Sequence, residues 1–383
     1  MHPAKIPILG ELKPSTTQRH LIKLPGAALA NDESRPVISV GGAKPGPVLF
    51  VNAGVHGGEY PAIEAVIRLG KTLDPKKISG TVILMPVMNL PAFRTRTPFV
   101  CPIDNVNPNR VFPGDPAGSY SEQMTHALIN EFVVHADAYI DLHGGDIPEA
   151  LVPFVICRSE PGLPDSKARD VAARSKQMAF AFGLPYVLTV TKPVQPAKGQ
   201  SSYAAAAEKG IPAILAEAGG VGQMQEEAVA LLFHGVINVM RHLGMVESGA
   251  DATATANDEA RMTNDEGNPK SRRKKTAHRA VATAKGSAAD TMPAVLRDSD
   301  AGVAAAPTLL TQFEWLYTQH AGMWYPEVAP GDAVKESEQI GTVGDLFGDT
   351  LENVNSPVNG VVLFLTINPS VLENGLLMGI GVE

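Results

Sequence analysis

Five short apolar runs, at 48–51, 81–87, 138–143, 151–157 and 211–217, alternate with stretches whose apolar residues recur at helical spacing. After Pro61 the positions Ile63, Val66, Ile67 and Leu69 follow that spacing. Further helices are expected over 119–135, opened by a capping signal at Ser119 or Ser121, and over 166–182, 201–209 and 223–243. Alternation of this kind predicts an α/β fold: a mostly parallel, mixed sheet with helices on both faces. Ligands of such sheets bind beyond the carboxyl ends of the strands. His56, Glu59, His143 and Glu217 all lie at or just past strand ends. The lead-in, 1–46, reads as irregular apart from a strand at 36–40. The stretch 89–118 is rich in Pro, Arg and Asn without a clear period, and long loops in compact domains are usually functional.

The pattern breaks at 247–307, where Ala, Thr, Asp, Asn and Ser dominate. Too little apolar surface is available there to offset ordering entropy, so a low-complexity, disordered insertion is expected. Its Ser271-Arg272-Arg273-Lys274-Lys275 run reads as a solvated linker, because Asp258, Glu259, Asp265 and Glu266 cancel its charge. Residues 308–383 read as a small all-β domain, with turn signals at Pro330-Gly331-Asp332, Phe347-Gly348-Asp349 and Asn359-Gly360. The pattern is similar to half of a biotinyl/lipoyl-type barrel. The 355–360 turn carries no lysine, so covalent cofactor carriage is rejected. The module is expected to cap the first domain, 1–246, or to shape its entrance.

Composition narrows the classes. A net charge of −8 argues against nucleic acid as a partner. Two cysteines, Cys101 and Cys157, argue against a disulfide framework and point to a reducing, cytoplasmic setting. Residues 1–20 show no apolar signal-peptide core, and no run of about 18 apolar residues predicts a membrane span. A homo-oligomer is compatible with all of this.

The chemistry starts at His56-Gly57-Gly58-Glu59, a strand-to-helix turn that can set an imidazole and a carboxylate on one cation. His143 is the expected third ligand. It ends a strand, and Asp141, two residues earlier on the same face, can orient its ring. Glu64 lies a turn deeper into the helix, and His126, His135, His234 and His242 suit core or surface roles. One Zn2+ per chain with two His and one Glu would make hydroxide available near neutral pH. Glu217, a carboxylate closing an apolar strand, is the expected general base. The loop offers Arg94, Arg96 and Arg110 for a tetrahedral oxyanion, with Arg94 read as a surface residue. Asn109 and Arg110 side by side suit a substrate carboxylate.

Four motifs occurring in order carry a resemblance. They are His56-Gly57-Gly58-Glu59, the 102–114 loop with Asn109-Arg110-Val111-Phe112-Pro113-Gly114, Asp141-Leu142-His143 and Ala216-Glu217. Together, over roughly 36–244, the chain resembles the succinylglutamate desuccinylase/aspartoacylase family of the zinc carboxypeptidase-like superfamily. The resemblance implies zinc on His56, Glu59 and His143, Glu217 as base, and Asn109 and Arg110 on a substrate carboxylate. It further implies that Arg96 polarises the scissile carbonyl, and that the C-terminal module corresponds to the family's second domain. Departures from the family pattern are Pro108 within Asn107-Pro108-Asn109-Arg110 and Gly58 in place of an acidic residue or Asn.

The expected function is a zinc-dependent amidohydrolase that deacylates a small N-acyl amino acid or related N-acyl amine by attack of zinc-bound hydroxide. The alternatives are a metallocarboxypeptidase acting on short peptides and a non-catalytic metal or small-molecule binding protein. Nucleic-acid binding through the basic run would show itself as a salt-dependent affinity.

Overall fold

Alternate residues of the first apolar run face opposite ways, and both ways are inward. Leu49 and Val51 join a core that includes Leu69 and Leu232, whereas Val48 and Phe50 join one that includes Leu128 and Tyr203. A strand buried on both faces needs helices above and below it, and the chain supplies them. The computed structural model describes residues 5–30, 33–159, 165–190, 199–247, 252–253 and 306–383. Most of the expected insertion at 247–307, including its basic run, lies outside the described residues.

In chain order, a hairpin of β1 (Lys5–Ile6) and β2 (Gly10–Glu11) leads to β3 (Thr16–Ile22), β4 (Arg35–Gly41) and β5 (Lys44–Ala53). Next come α1 (Tyr60–Thr72), β6 (Ser79–Met85), α2 (Leu90–Thr95), α3 (Tyr120–Glu131), β7 (Ala138–His143) and β8 (Glu149–Leu151). They are followed by β9 (Phe154–Arg158), α4 (Ser166–Phe182), β10 (Tyr186–Val190), α5 (Ser202–Glu208), β11 (Ala213–Glu217) and α6 (Glu226–His242). The C-terminal strands are β12 (Thr308–Leu310), β13 (Gln312–Tyr317), β14 (Gly322–Pro326), β15 (Ala333–Val334) and β16 (Gln339–Gly344). The last four are β17 (Thr350–Asn355), β18 (Gly360–Thr366), β19 (Ser370–Val371) and β20 (Leu376–Val382).

Nine strands form one sheet in the order β12-β10-β9-β11-β7-β5-β6-β4-β3. Its β12–β10, β10–β9, β11–β7, β7–β5 and β5–β6 pairings are parallel. The β9–β11, β4–β6 and β3–β4 pairings are antiparallel, so the sheet is mixed and mostly parallel. The remaining C-terminal strands form two antiparallel sheets, β13-β20-β18-β15 and β17-β16-β14-β19. Residues 1–252 and 305–383 make one compact unit.

Several elements differ from the expectations above. The lead-in contains β3, an edge strand whose Thr16, Gln18 and His20 hide its period in polar residues. The run at 151–157 is two strands, because Pro153 has no N–H to continue a ladder. Beyond that break β8 turns away to pair with β18. The helix expected to reach residue 135 ends at Glu131 and is followed by a single tight turn at Val133–His135. The 89–118 loop holds α2, whose first turn is capped by the Asn89 side chain accepting from Ala92 N at 3.2 Å. Thr308–Leu310, read as part of the C-terminal module, extends the large sheet beside β10. Among the described residues no helix is long and apolar enough to cross a membrane.

Candidate metal centre and active-site cavity

Strand β5 stays buried to Ala53, and Gly54, at φ +64°, turns the chain out of the sheet. Glu59 then stands at the N-cap position of α1, yet its side chain caps no helix N–H. Its carboxylate is turned instead onto two imidazoles. Glu59 Oε1 lies 2.7 Å from His56 Nδ1, and Oε2 lies 3.0 Å from His143 Nδ1. All three residues are buried, and their ligand atoms lie within 4.8 Å of one another.

Both rings are oriented alike. His56 Nε2 lies 3.1 Å from Asn107 Oδ1, and His143 Nε2 lies 3.1 Å from Asp141 Oδ2. Each ring thus lies between two oxygens, one of Glu59 at Nδ1 and one of Asn107 or Asp141 at Nε2, which fixes its orientation. Asp141 is itself held by Asn52, whose Nδ2 donates to Oδ1 at 2.9 Å, and by the Ser202 hydroxyl, which donates to Oδ2. Burial pushes the Glu59 carboxyl up, but His143 and His56 outweigh it and hold the group below its usual range. Burial works against a charged His143, and Glu59 with Asp141 reverses this and raises it well above an ordinary imidazole. Such a cluster satisfies its charges only in part. Glu59 Oε2 and His143 Nε2 are sealed from solvent, and their close partners lie off hydrogen-bond alignment. Two imidazoles, one carboxylate and an under-satisfied oxygen fit a divalent cation.

Glu217 closes β11 in direct register with His143 on β7. Its Oε2 is buried with no hydrogen-bond partner among the described residues. Burial raises its pKa well above the carboxylate range; His143 opposes this, and Glu59 and Glu149 add to it.

These groups face a cavity of about 440 Å³ that His56, Glu59, Asn109, Arg110, Glu149 and Glu217 line. Asn109 is buried and accepts from Ser202 N at 3.1 Å. Arg110 donates from Nη1 to Asn109 O at 2.9 Å, and burial lowers its pKa. The C-terminal module supplies an apolar wall of Phe313, Trp315 and Phe364, with ring centroids 5.0 to 6.0 Å apart. The expected residues His56, Glu59, His143, Glu217, Asn109 and Arg110 thus converge. Arg96 does not join them. It is exposed, in a left-handed conformation at the end of α2, and is not among the residues lining the cavity. Arg94 pairs with Glu33 at the surface.

Sequence reasoning missed three groups. Asn107 was noted only as part of a motif. Asp146 is buried at φ +51°, and accepts from Phe99 N at 2.8 Å and from Ile147 N at 2.7 Å. A Cβ on Gly58 would lie 2.0 Å from Asp146 Oδ1, so the carboxylate of Asp146 occupies space that a side chain at 58 would need. Glu149 is pushed up to about 8 by burial, with Glu59 and Asp146 adding like charge and Arg110 opposing. The Gly144-Gly145 turn after β7 was the available signal for both acids.

The succinylglutamate desuccinylase/aspartoacylase catalytic domain matches residues 45–243. The N-alpha-acetyl-L-2,4-diaminobutyric acid deacetylase of Halomonas elongata is 31% identical over 252 residues, which are 64% of this chain and 69% of that protein. The succinylglutamate desuccinylase/aspartoacylase structure from Rhodobacter sphaeroides superposes with a TM-score of 0.71 at 23% identity, covering 96% of this chain and 95% of that one. The product-bound ectoine utilization protein EutE (DoeB) from Ruegeria pomeroyi gives 0.72 at 20% identity, over 96% and 95%. At these identities the two structures establish the shared fold. By its catalytic-domain match, its His-Glu-His cluster and its architecture, this chain belongs to the succinylglutamate desuccinylase/aspartoacylase family.

Proposed function

We propose that the chain is a zinc-dependent deacylase that hydrolyses the amide bond of a small N-acyl amino acid. The observation that carries this reading is the pairing of Glu217 with His143 on adjacent strand ends, where an under-satisfied carboxyl, made more basic by its burial, borders the His-Glu-His cluster. Zinc on His56, Glu59 and His143 would polarise the scissile carbonyl and lower the pKa of a bound water. Arg110, the one arginine lining the cavity among the described residues, offers its guanidinium to the substrate carboxylate, with Asn109 beside it. Glu217 takes a proton as water adds to the amide carbon and returns one to nitrogen as the C–N bond breaks. A carboxylic acid and a free amine leave. The apolar wall keeps water away from these charges and so strengthens their effect. The name of the Halomonas elongata relative supports an N-acetylated amino acid as the substrate. Arg96 has no part in this reading because its side chain is exposed.

The test is amine release by zinc-loaded protein from N-acetyl, N-formyl and N-succinyl amino acids and from dipeptides. Turnover of N-acyl amino acids, abolished by a chelator and restored by zinc, is the expected result. Zinc-loaded protein that turns over none of them, or that prefers dipeptides, overturns the reading.

A further inference from the structure

The β13-β20-β18-β15 sheet turns an aromatic face to the cavity. Its strand β20 sets Gly379 between Trp315 of β13 and Phe364 of β18. A Cβ on Gly379 would come within 2.3 Å of Phe313 Cζ and 2.4 Å of Phe364 Cε1, so the missing side chain lets the two rings meet across the strand. They stack with centroids 6.0 Å apart, and Trp315 stands edge-on to them at 5.0 and 5.3 Å. Phe364 also pairs with Leu151 of β8, beside the pairing of Thr366 with Glu149, and all four side chains line the cavity. Leu151, Ile156, Phe313, Trp315 and Leu376 are only partly covered by the protein, and each borders that space. An apolar wall left open on a cavity of about 440 Å³ is how ligand pockets are built, with a few polar groups placed to orient the ligand. An N-acyl amino acid with a short side chain would leave much of this wall uncovered.

We infer that the wall of Phe313, Trp315 and Phe364 receives the side chain of the substrate amino acid, which makes the substrate class an N-acyl amino acid with an uncharged, ring-sized apolar side chain. The inference rests on the deacylase reading of the same cavity. Charge supports it. Among the described residues Arg110 is the one guanidinium or ammonium on the lining, and a single substrate carboxylate engages it. A second carboxylate would face Glu149 and Glu217 without a cation of its own. Burial, with Glu59 and Asp146, pushes the Glu149 carboxyl up to about 8 while Arg110 opposes, so near neutral pH it is mostly uncharged and calls for no substrate cation. Arg110 also decides which part of the substrate meets the wall. Burial lowers its pKa, and Tyr317, Tyr203 and Glu149 oppose this, which puts its guanidinium near β13 and β8, two strands that carry wall residues. The group nearest a carboxylate held there is the side chain on the neighbouring carbon, whereas the acyl group lies across the scissile bond, toward the His-Glu-His cluster.

The experiment compares zinc-loaded full-length protein on N-acetyl-L-phenylalanine, N-acetyl-L-alanine, N-acetyl-L-aspartate and Nα-acetyl-L-2,4-diaminobutyrate. We expect kcat/KM for the first to exceed each of the others by about tenfold or more, because burying a ring against apolar surface is worth at least that factor. Trp315→Ala is expected to lower the phenylalanine-to-alanine ratio by about threefold or more, the worth of an aromatic contact. A loss of folded protein would lower both rates and leave that ratio unmoved. Equal use of the four substrates, a preference for the acid or the diamine, or a ratio that Trp315→Ala preserves overturns the inference. Faster hydrolysis of N-phenylacetyl-L-alanine than of N-acetyl-L-phenylalanine overturns it too, by putting the ring on the acyl side. The wild-type comparison decides the matter even if the variant does not fold. Calorimetric titration with L-phenylalanine and L-alanine separates the two readings. Selective binding of phenylalanine without turnover of any amide sinks the deacylase reading and keeps the apolar subsite. Turnover without selectivity keeps the deacylase and removes the subsite.

Discussion

Glu217 and Glu149 are both carboxyls that the fold keeps protonated more firmly than water would, and they predict different things. For Glu217 the consequence is kinetic. Glu217→Gln is expected to retain zinc at full stoichiometry while kcat falls about a hundred- to ten-thousandfold, the usual worth of a general base. Metal analysis beside steady-state rates checks this, and a near-native rate would remove Glu217 from the reaction. For Glu149 the consequence is thermodynamic. Its carboxyl sits at about 8 in the fold against 4.5 ordinarily. Between those values the folded chain holds a proton that the unfolded chain has lost, so stability falls as pH rises through that window. Glu217, raised in the same direction, adds to the slope. In chelator-treated protein, the Tm advantage of Glu149→Gln over wild type should therefore grow from pH about 5 to about 8; a constant difference would count against the buried charge. At this scale the groups that the fold brings together were readable, because His56, Glu59, His143 and Glu217 each follow an apolar run or its Gly turn. Asp146 sits in the turn after Gly144-Gly145 and Glu149 opens β8, a strand of 3 residues too short to show a period, so their spacing does not report what they face.

Gly57 and Gly58 show how elements, rather than single side chains, hold the cluster in place. A Cβ on Gly57 would come within 2.1 Å of Phe93 N, so the metal-ligand turn and α2 meet backbone to backbone. A Cβ on Gly58 would meet Asp146 at 2.0 Å and Ile147 at 2.8 Å. Gly58→Ala is therefore expected to destabilise by about 1–3 kcal/mol, the cost of overfilling a packed site. Urea unfolding measures it, and an unchanged midpoint would mean that the Asp146 turn yields freely. The order of strands and helices was legible because apolar period and Gly or Pro punctuation agree over most of the α/β part. The misses have a common cause. Strand β3 is polar throughout Thr16–His20 on a sheet edge, α2 is too short to show a period, and Pro153 divides a run that looks continuous.

At the scale of the molecule, the module and the large sheet are continuous. Val152 N donates to Leu363 O at 2.9 Å, β8 pairs with β18, and β12 lengthens the sheet. Leu363 is fully buried in a cluster with Val152, Phe154 and Leu188. Leu363→Ala is expected to cost about 2–5 kcal/mol in a single cooperative transition, because the truncation opens a void between the two parts. Equilibrium unfolding followed by two probes checks this; separate transitions would show that the parts fold independently. The joint was beyond sequence reasoning, since pairing Glu149 with Thr366 spans most of the C-terminal half and leaves no local period. The cavity wall has a practical consequence. Of the two tryptophans in the chain, Trp315 borders the cavity and Trp324 is buried in the module's own core. Ligand binding should therefore alter the emission of one indole while the other serves as an internal reference, giving an optical signal for occupancy that needs no label and no turnover.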